Sequence, residues 1–374
     1  MSNVTLHPTD AIKRCDTQTL SPRLLLKSNQ TADAIKRCDT QTLSPRSNAV
    51  EKIFATPIFL APMAGVTDTA FRILVRELID DLDARKNLLM FSEMVSAAGI
   101  HFRNEKTLQM LQTVDDERPT AIQIFGSDPK LCAEAAAYVE NLGTAAVIDF
   151  NAGCPAPKIV KNGEGSALMK NPPLLEKILS AVKKSVSLPV SVKFRLGVDS
   201  EHINAVEVAK RAENAGVDFI AVHGRTREQF YSGVANWDEI ARVKSAVKIP
   251  VIANGDVRDF DSLDKIFSTT KADGVMIGRA AQGNPWIINR LLKYFLTGEK
   301  IPPPTLNERA GILRYHLEKI IRFKGERVGI REMRSHAAWY TKGLTGGAEL
   351  RNLFNRAETA DEFLKIIDDH LKIY

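Results

Sequence analysis

The sequence has no run approaching the roughly 20 consecutive apolar residues that a membrane-crossing helix needs. Its N-terminus lacks the apolar core of a secretory signal. Both absences lead us to expect a cytoplasmic protein with no membrane partner. Cysteine is scarce as well: Cys15, Cys38, Cys132 and Cys154 are the four in 374 residues. No C-x-x-C pair occurs among them, so neither a zinc centre nor another metal is expected. Cys132, in the helical pattern KLCAEAAAYVENLG, reads as a small core residue. Also missing is the G-x-G-x-x-G that follows the first strand of an open, doubly wound dinucleotide-binding sheet. What is present is ordinary for a globular protein, 44% hydrophobic and 26% charged. The length allows one large α/β domain and something smaller.

Residues 1–50 stand apart. DAIKRCDTQTLSPR occurs at 10–23 and again, without a mismatch, at 33–46. Solenoid repeats diverge and number three or more, so an exact pair marks a recent duplication or a mistaken gene boundary. The polar composition points to a disordered extension. Cys15 and Cys38 fall within the copies and are assigned no chemistry.

From residue 57 short apolar runs alternate with amphipathic helical stretches. The runs are IFLAPM (58–63), LLMFSEM (88–94), TAIQIFG (120–126), VIDFNAG (147–153), PVSVKFR (189–195), FIAVHG (219–224), PVIANG (250–255) and GVMIGR (274–279). Eight such units in this length predict an α/β fold, a (β/α)8 TIM barrel over 53–300. IPPPT (301–305) breaks any helix, and 306–374 carry helical patterns only, so an all-helical C-terminal domain is expected. Between Arg309 and Lys342 nine Lys/Arg face three Asp/Glu, a net of +6 that equals the net charge of the whole chain. Clustering of this kind suits a phosphate-rich partner.

In such a barrel chemistry collects at the C-terminal strand ends. The fourth run, AAVIDF, stops at Asn-Ala-Gly and presents Cys154 held by Pro155. A core cysteine would sit inside the run, and a metal ligand would have partners nearby. The first run ends APMAGVTD, where a flat ligand can lie against backbone, and the second ends at Ser92 and Glu93. Gln123 is an amide inside an apolar strand and can satisfy the edge of a polar heterocycle. Lys193 and Arg195 alternate and so point the same way. A lysine there stabilises a developing anion. His223 ends the sixth run. Gly255 and Gly278, with Arg279, follow runs seven and eight, where this fold places phosphate. Together these ends suit bound FMN with a second substrate stacked on it.

The motifs APMAGVTD, NAGCPAPKIV, GSALMK, VKFRLG, VHGRTREQFYSG, ANGDV and GRAAQGNPW occur in this order. From about residue 53 to 370 the chain resembles the tRNA-dihydrouridine synthases of the bacterial B-like or archaeal type, flavoenzymes that reduce uridine in tRNA. The resemblance implies FMN held by Pro62, Met63, Ala64, Gln123 and Lys193. Asn254, Gly255, Asp256, Gly278 and Arg279 would hold its ribityl and phosphate end, and His223 would sit beside the ring. It implies NADPH as reductant and Cys154 as the general acid. Asn151, Arg195, Arg225 and Arg227 would be substrate-side residues, and the basic 309–342 window would grip tRNA. A monomer is expected. Thiols titrate near 8.5 and are mostly protonated at neutral pH, which suits a proton donor. The resemblance does not account for residues 1–50. Two rival readings are an FMN-dependent dehydrogenase of a free pyrimidine, which would need no basic appendage, and a catalytically idle RNA-binding protein, which would need no intact Cys154, Lys193 and His223.

Overall fold

The computed structural model describes residues 45–371. The repeated segment up to Ser44, with Cys15 and Cys38 and the disorder expected there, lies outside the described residues. Pro45–Phe54 form a helix, so the last residues of the expected extension belong to the folded unit. Among the described residues no helix is long and apolar enough to cross a membrane.

Eight parallel strands close into a barrel in sequence order. They are β1 (Ile58–Leu60), β2 (Met90–Ser96), β3 (Thr120–Phe125), β4 (Val147–Ala152), β5 (Val190–Arg195), β6 (Phe219–His223), β7 (Val251–Asn254) and β8 (Gly274–Ile277). This is the expected (β/α)8 barrel. Each strand is buried on both faces, which is why the runs read as nearly continuous apolar stretches. The second run is the exception to the predicted ends. β2 continues past Ser92 and Glu93 to Ser96, with a register shift between Phe91 and Met94. A bulge re-aims side chains without ending the strand.

Period-two geometry sorts each strand into outward and inward residues. Outward ones pack under the surrounding helices in one large core. Inward ones form layers. At the N-terminal end Phe59, Phe91, Val147, Phe219, Ile252 and Met276 fill the barrel, and Ile53 and Phe54 of the first helix join them. The Phe54 ring meets Phe59 and Phe219 edge-on at 5.5 and 5.6 Å. Two to four residues further along the same inward stripes the chemistry changes to Gln123, Asp149, Asn151, Lys193, Arg195, His223 and Asn254. The register makes neighbours of Asn151 and Lys193, of Arg195 and His223, and of His223 and Asn254.

Four helices follow the proline linker: Leu306–Lys324, Glu326–Tyr340, Gly347–Arg356 and Ala360–His370. Thr305 caps the first in a reciprocal box with Glu308. Their apolar stripes share a core of their own that takes in Ala70 of the barrel. The boundary between the two units is built on the helix Thr69–Glu77. Its N-cap, Asp68, accepts from the Phe71 amide at 2.9 Å and pairs with Lys324 at 2.6 Å. Burial works against the Asp68 carboxylate, yet the ammonium beside it holds it below the usual carboxylate range. Phe71 stacks on His336, and Lys319 reaches Glu77 at 3.0 Å.

Candidate active site

The polar layer opens into a cavity of about 820 Å³ at the C-terminal mouth of the barrel, within the range of roughly 300–1,000 Å³ usual for ligand pockets. Cys154 lines it with Lys193 and His223. So do Pro62, Met63, Ala64, Gln123, Asn151, Arg195, Asn254, Gly255, Asp256, Gly278 and Arg279. Arg225 and Arg227 are not among the lining residues.

Cys154 sits just past β4, and its loop is built by its neighbours. Asn151 Oδ1 accepts from the Gly153 and Cys154 amides at 3.1 and 2.9 Å. The Cys154 carbonyl accepts from Ser166 N at 3.0 Å. Gly153 is absent from the positive-φ positions; a Cβ there would lie 3.3 Å from Phe194 Cα, so its role is close approach. The glycine with the unusual backbone is Gly165, at φ +58°, where a Cβ would stand 2.8 Å from the Cys154 carbonyl oxygen.

Below the thiol lies a buried hydrogen-bond chain. Ser191 Oγ donates to Asp149 Oδ1 at 2.6 Å, Gln123 Nε2 to Asp149 Oδ2 at 2.5 Å, and Asn151 Nδ2 to Gln123 Oε1 at 2.7 Å. Burial pushes the Asp149 carboxyl up to about 6, against the pull of those donors and of Lys193. Lys193 is the complement. Burial and the nearby Arg195 draw its ammonium down to about 8, against Asp149 and Cys154. Lys193 Nζ forms no hydrogen bond within the described residues, so its donors face the cavity. His223 is held well below its ordinary range by burial and then by Lys193, Arg195, Arg225 and Arg279, so it is neutral.

The arginines divide. Arg195 donates from Nε to the Gly153 carbonyl at 2.8 Å and from Nη1 to those of Thr226 and Phe230. Arg225 donates to the Ser232 and Gly233 carbonyls and pairs with Asp256 at 2.8 Å. Arg227 lies against Glu228 at 3.6 Å. The structure thus gives Arg195 and Arg225 partners within the barrel's own loops. Arg279 is the accessible one, 45% exposed, 3.3 Å from Asp256 and stacked 4.9 Å over the Tyr231 ring.

Past the ends of β7 and β8, the amides of Gly255, Asp256 and Gly278 have no partner among the loop and turn bonds of the described residues. A Cβ on Gly278 would meet nothing nearer than 3.8 Å, so backbone is bared to the cavity there. Unpaired amides, an arginine fork and open space fit a phosphate. The Gln123 edge and the Lys193 ammonium fit the polar rim of a flavin. The Asp256 carboxylate, committed to Arg225, Arg279 and the Ala235 amide, holds cations and leaves only its amide for an anion.

The sequence profile of Dihydrouridine synthase (Dus) matches residues 59–373. The chain belongs to the dihydrouridine synthase family. Two relatives named tRNA-dihydrouridine synthase B bear this out. That of Pseudomonas aeruginosa is 43% identical over 81% of this chain and 89% of its own length, and that of Xanthomonas axonopodis pv. citri 41% identical over 84% and 93%. Among solved structures, a variant of NCR from Zymomonas mobilis aligns with a TM-score of 0.45 and 15% identity over 68% of this chain and 90% of that one, too distant to carry an argument.

Tyr231 and Lys342 of this family member's cavity, and Asp149 buried beneath it, were not singled out as site residues by the sequence reading. Asp149 is an acid inside an apolar run, and that anomaly was the available signal. Tyr231, flanked by Arg195 and Arg279, left no local signal, and Lys342, counted in the 309–342 basic window, gave none that it would line the cavity.

Proposed function

We propose that this dihydrouridine synthase reduces uridine to 5,6-dihydrouridine in tRNA, with FMN held in the barrel mouth and NADPH as reductant. The observation that carries the reading is the convergence of Cys154, a neutral His223 and an unpartnered Lys193 on one cavity whose β7 and β8 side offers bare amides and Arg279. FMN, when bound, would supply the hydride that adds to uracil C6.

The chain's own residues would do the rest. The target base must leave its stack to enter, at a cost of a few kcal/mol. Gln123, oriented by Asp149 and Asn151, and Met63 at the end of β1 would position the flat ligand. Lys193 would stabilise negative charge at the ring edge. As hydride reaches C6, charge spreads over C5, C4 and O4, and the Cys154 thiol would donate its proton to C5. Water would then reprotonate the thiolate. Arg195 and Arg225 we assign to bracing the loops around the thiol, a narrower role than substrate contact.

On the helical unit, Arg314 pairs with Asp368, Lys319 with Glu77, and Lys324 with Asp68 and Glu332; Arg334 donates to the Ala357 carbonyl. Arg322, Arg327 and Arg331 remain exposed and have no side-chain partner among the described residues. These are the cations we assign to tRNA phosphates, and with such a substrate we infer a cytoplasmic protein. The test is incubation with NADPH and an unmodified tRNA transcript, followed by digestion and mass spectrometry. A uridine heavier by two hydrogens at one position is expected. A yellow protein that oxidises NADPH and leaves every uridine unchanged would overturn the substrate assignment.

A further inference from the structure

The helical unit reaches into the cavity at one point. Gly283, just after β8, has φ +65°, and a Cβ on it would fall 2.5 Å from the Trp339 carbonyl oxygen and from the Tyr340 nitrogen. The β8 loop and the end of the helix Glu326–Tyr340 therefore meet backbone to backbone, which no other residue allows. The contact is well packed on both sides. Tyr340 and Thr341 are buried, and the Trp286 and Tyr340 rings pack edge-on at 6.2 Å. Thr341 Oγ1 donates to the Ala337 carbonyl at 2.8 Å, and the Lys342 amide to that of Trp339 at 3.2 Å. What this geometry delivers to the mouth is Lys342. It is exposed and lines the cavity with Gln282 and Arg279. Its ammonium has no hydrogen bond or ion pair among the described residues.

We propose that Lys342 is a phosphate-binding residue of the site, supplied by the helical unit and placed there by the Gly283 contact. A single lysine held at a cavity beside a second cation, with no acid of its own, is arranged for an anion. The cavity it lines is the one where Gly255, Asp256 and Gly278 present amides. The ligand is a phosphate ester, and two sources share that chemistry: the phosphate of FMN and the backbone phosphate next to the uridine. The assignment rests on the proposed function for these sources. It links the two units through the ligand, so that a site in the barrel is complete only when the helical unit is docked.

The test uses full-length protein with Lys342→Ala and Lys342→Arg. One arm titrates flavin-free protein with FMN and, separately, with riboflavin, which lacks the phosphate. The other titrates flavin-loaded protein with tRNA across a series of salt concentrations. If Lys342 holds the flavin phosphate, the alanine variant weakens FMN about tenfold and leaves riboflavin unchanged. If it holds the RNA phosphate, FMN binding is unchanged, tRNA binding weakens about tenfold at low salt, and the log–log salt slope falls by about 0.7–0.9. Arginine restores the affected binding in either case. An alanine variant within twofold of the parent in both arms overturns the proposal. Failure of the functional reading looks different: a parent protein that binds FMN and tRNA normally and makes no dihydrouridine.

Discussion

Two glycines in the segment KNGEGS separate backbone strain from the positioning of Cys154. Gly163 and Gly165 both have positive φ, +74° and +58°. A Cβ on Gly163 would meet nothing within 4 Å. A Cβ on Gly165 would lie 2.8 Å from the Cys154 carbonyl oxygen, 3.0 Å from Ile159 Cγ2 and 3.1 Å from Cys154 Cβ. Alanine at either position forces a side chain into the left-handed region, costing about 1–2 kcal/mol. At Gly165 the overlap adds about 1–3 kcal/mol of overpacking, and one of the atoms it presses is backbone that cannot swing away. Relief comes by moving the Cys154 loop, which also breaks the Ser166 N–H bond to the Cys154 carbonyl. A shift of order 1 Å at a reacting group costs roughly a hundredfold in rate. Gly165→Ala should therefore lose about 2–5 kcal/mol of stability and about a hundredfold in dihydrouridine formation. Gly163→Ala should lose only the smaller stability increment and keep its rate. Urea unfolding of both variants and turnover on tRNA measure the pair. Alkylation of Cys154, followed by peptide mass spectrometry, reports the thiol directly. Equal losses of rate in the two variants would refute the packing argument, because strain alone would then explain everything.

Cys154→Ala should keep flavin and NADPH oxidation by an artificial acceptor but lose about 10²–10⁴-fold in uridine reduction; unchanged turnover on tRNA would remove the general-acid assignment. Lys193, whose folded pKa is drawn down to about 8 from 10.5, makes the unfolded chain bind more protons between those values. Its contribution thus rises with pH from about 8 to 10.5, by about 3 kcal/mol in all. Lys193→Met should flatten that segment of the stability–pH curve of flavin-free protein, and an unaltered curve would show the shift to be absent. Replacing Arg322, Arg327 and Arg331 together by alanine should weaken tRNA binding and lower its salt slope by about 2–3. Arg314→Ala, whose partner is Asp368, should leave the slope unchanged. Equal slopes in the two variants would relocate the RNA surface.

The barrel was legible because its signal is local. Eight apolar runs with period-two inward stripes, five of them changing from apolar to polar near the C-terminal end, place Gln123, Asn151, Lys193, His223 and Asn254 at one mouth once the strands close. Cys154 was legible for the same reason, as a thiol outside its run. The thiol's neighbourhood was settled only by the tertiary structure. Arg195 and Arg225 read as substrate-side cations in sequence, yet Arg195 donates to the Gly153 and Thr226 carbonyls, on loops that meet only in the closed barrel, and Arg225 to Ser232 and Gly233 of its own loop and to Asp256 of the next. The 309–342 charge excess was countable in the chain, but which cations stay available depended on Asp68, Glu77 and Asp368, distant in sequence and adjacent in space. Local period and composition determine where a strand runs and which way its side chains point. Who receives each hydrogen bond, and which lysine of a second unit arrives at the mouth, depends on contacts between segments far apart in the chain, and only the assembled structure decides them.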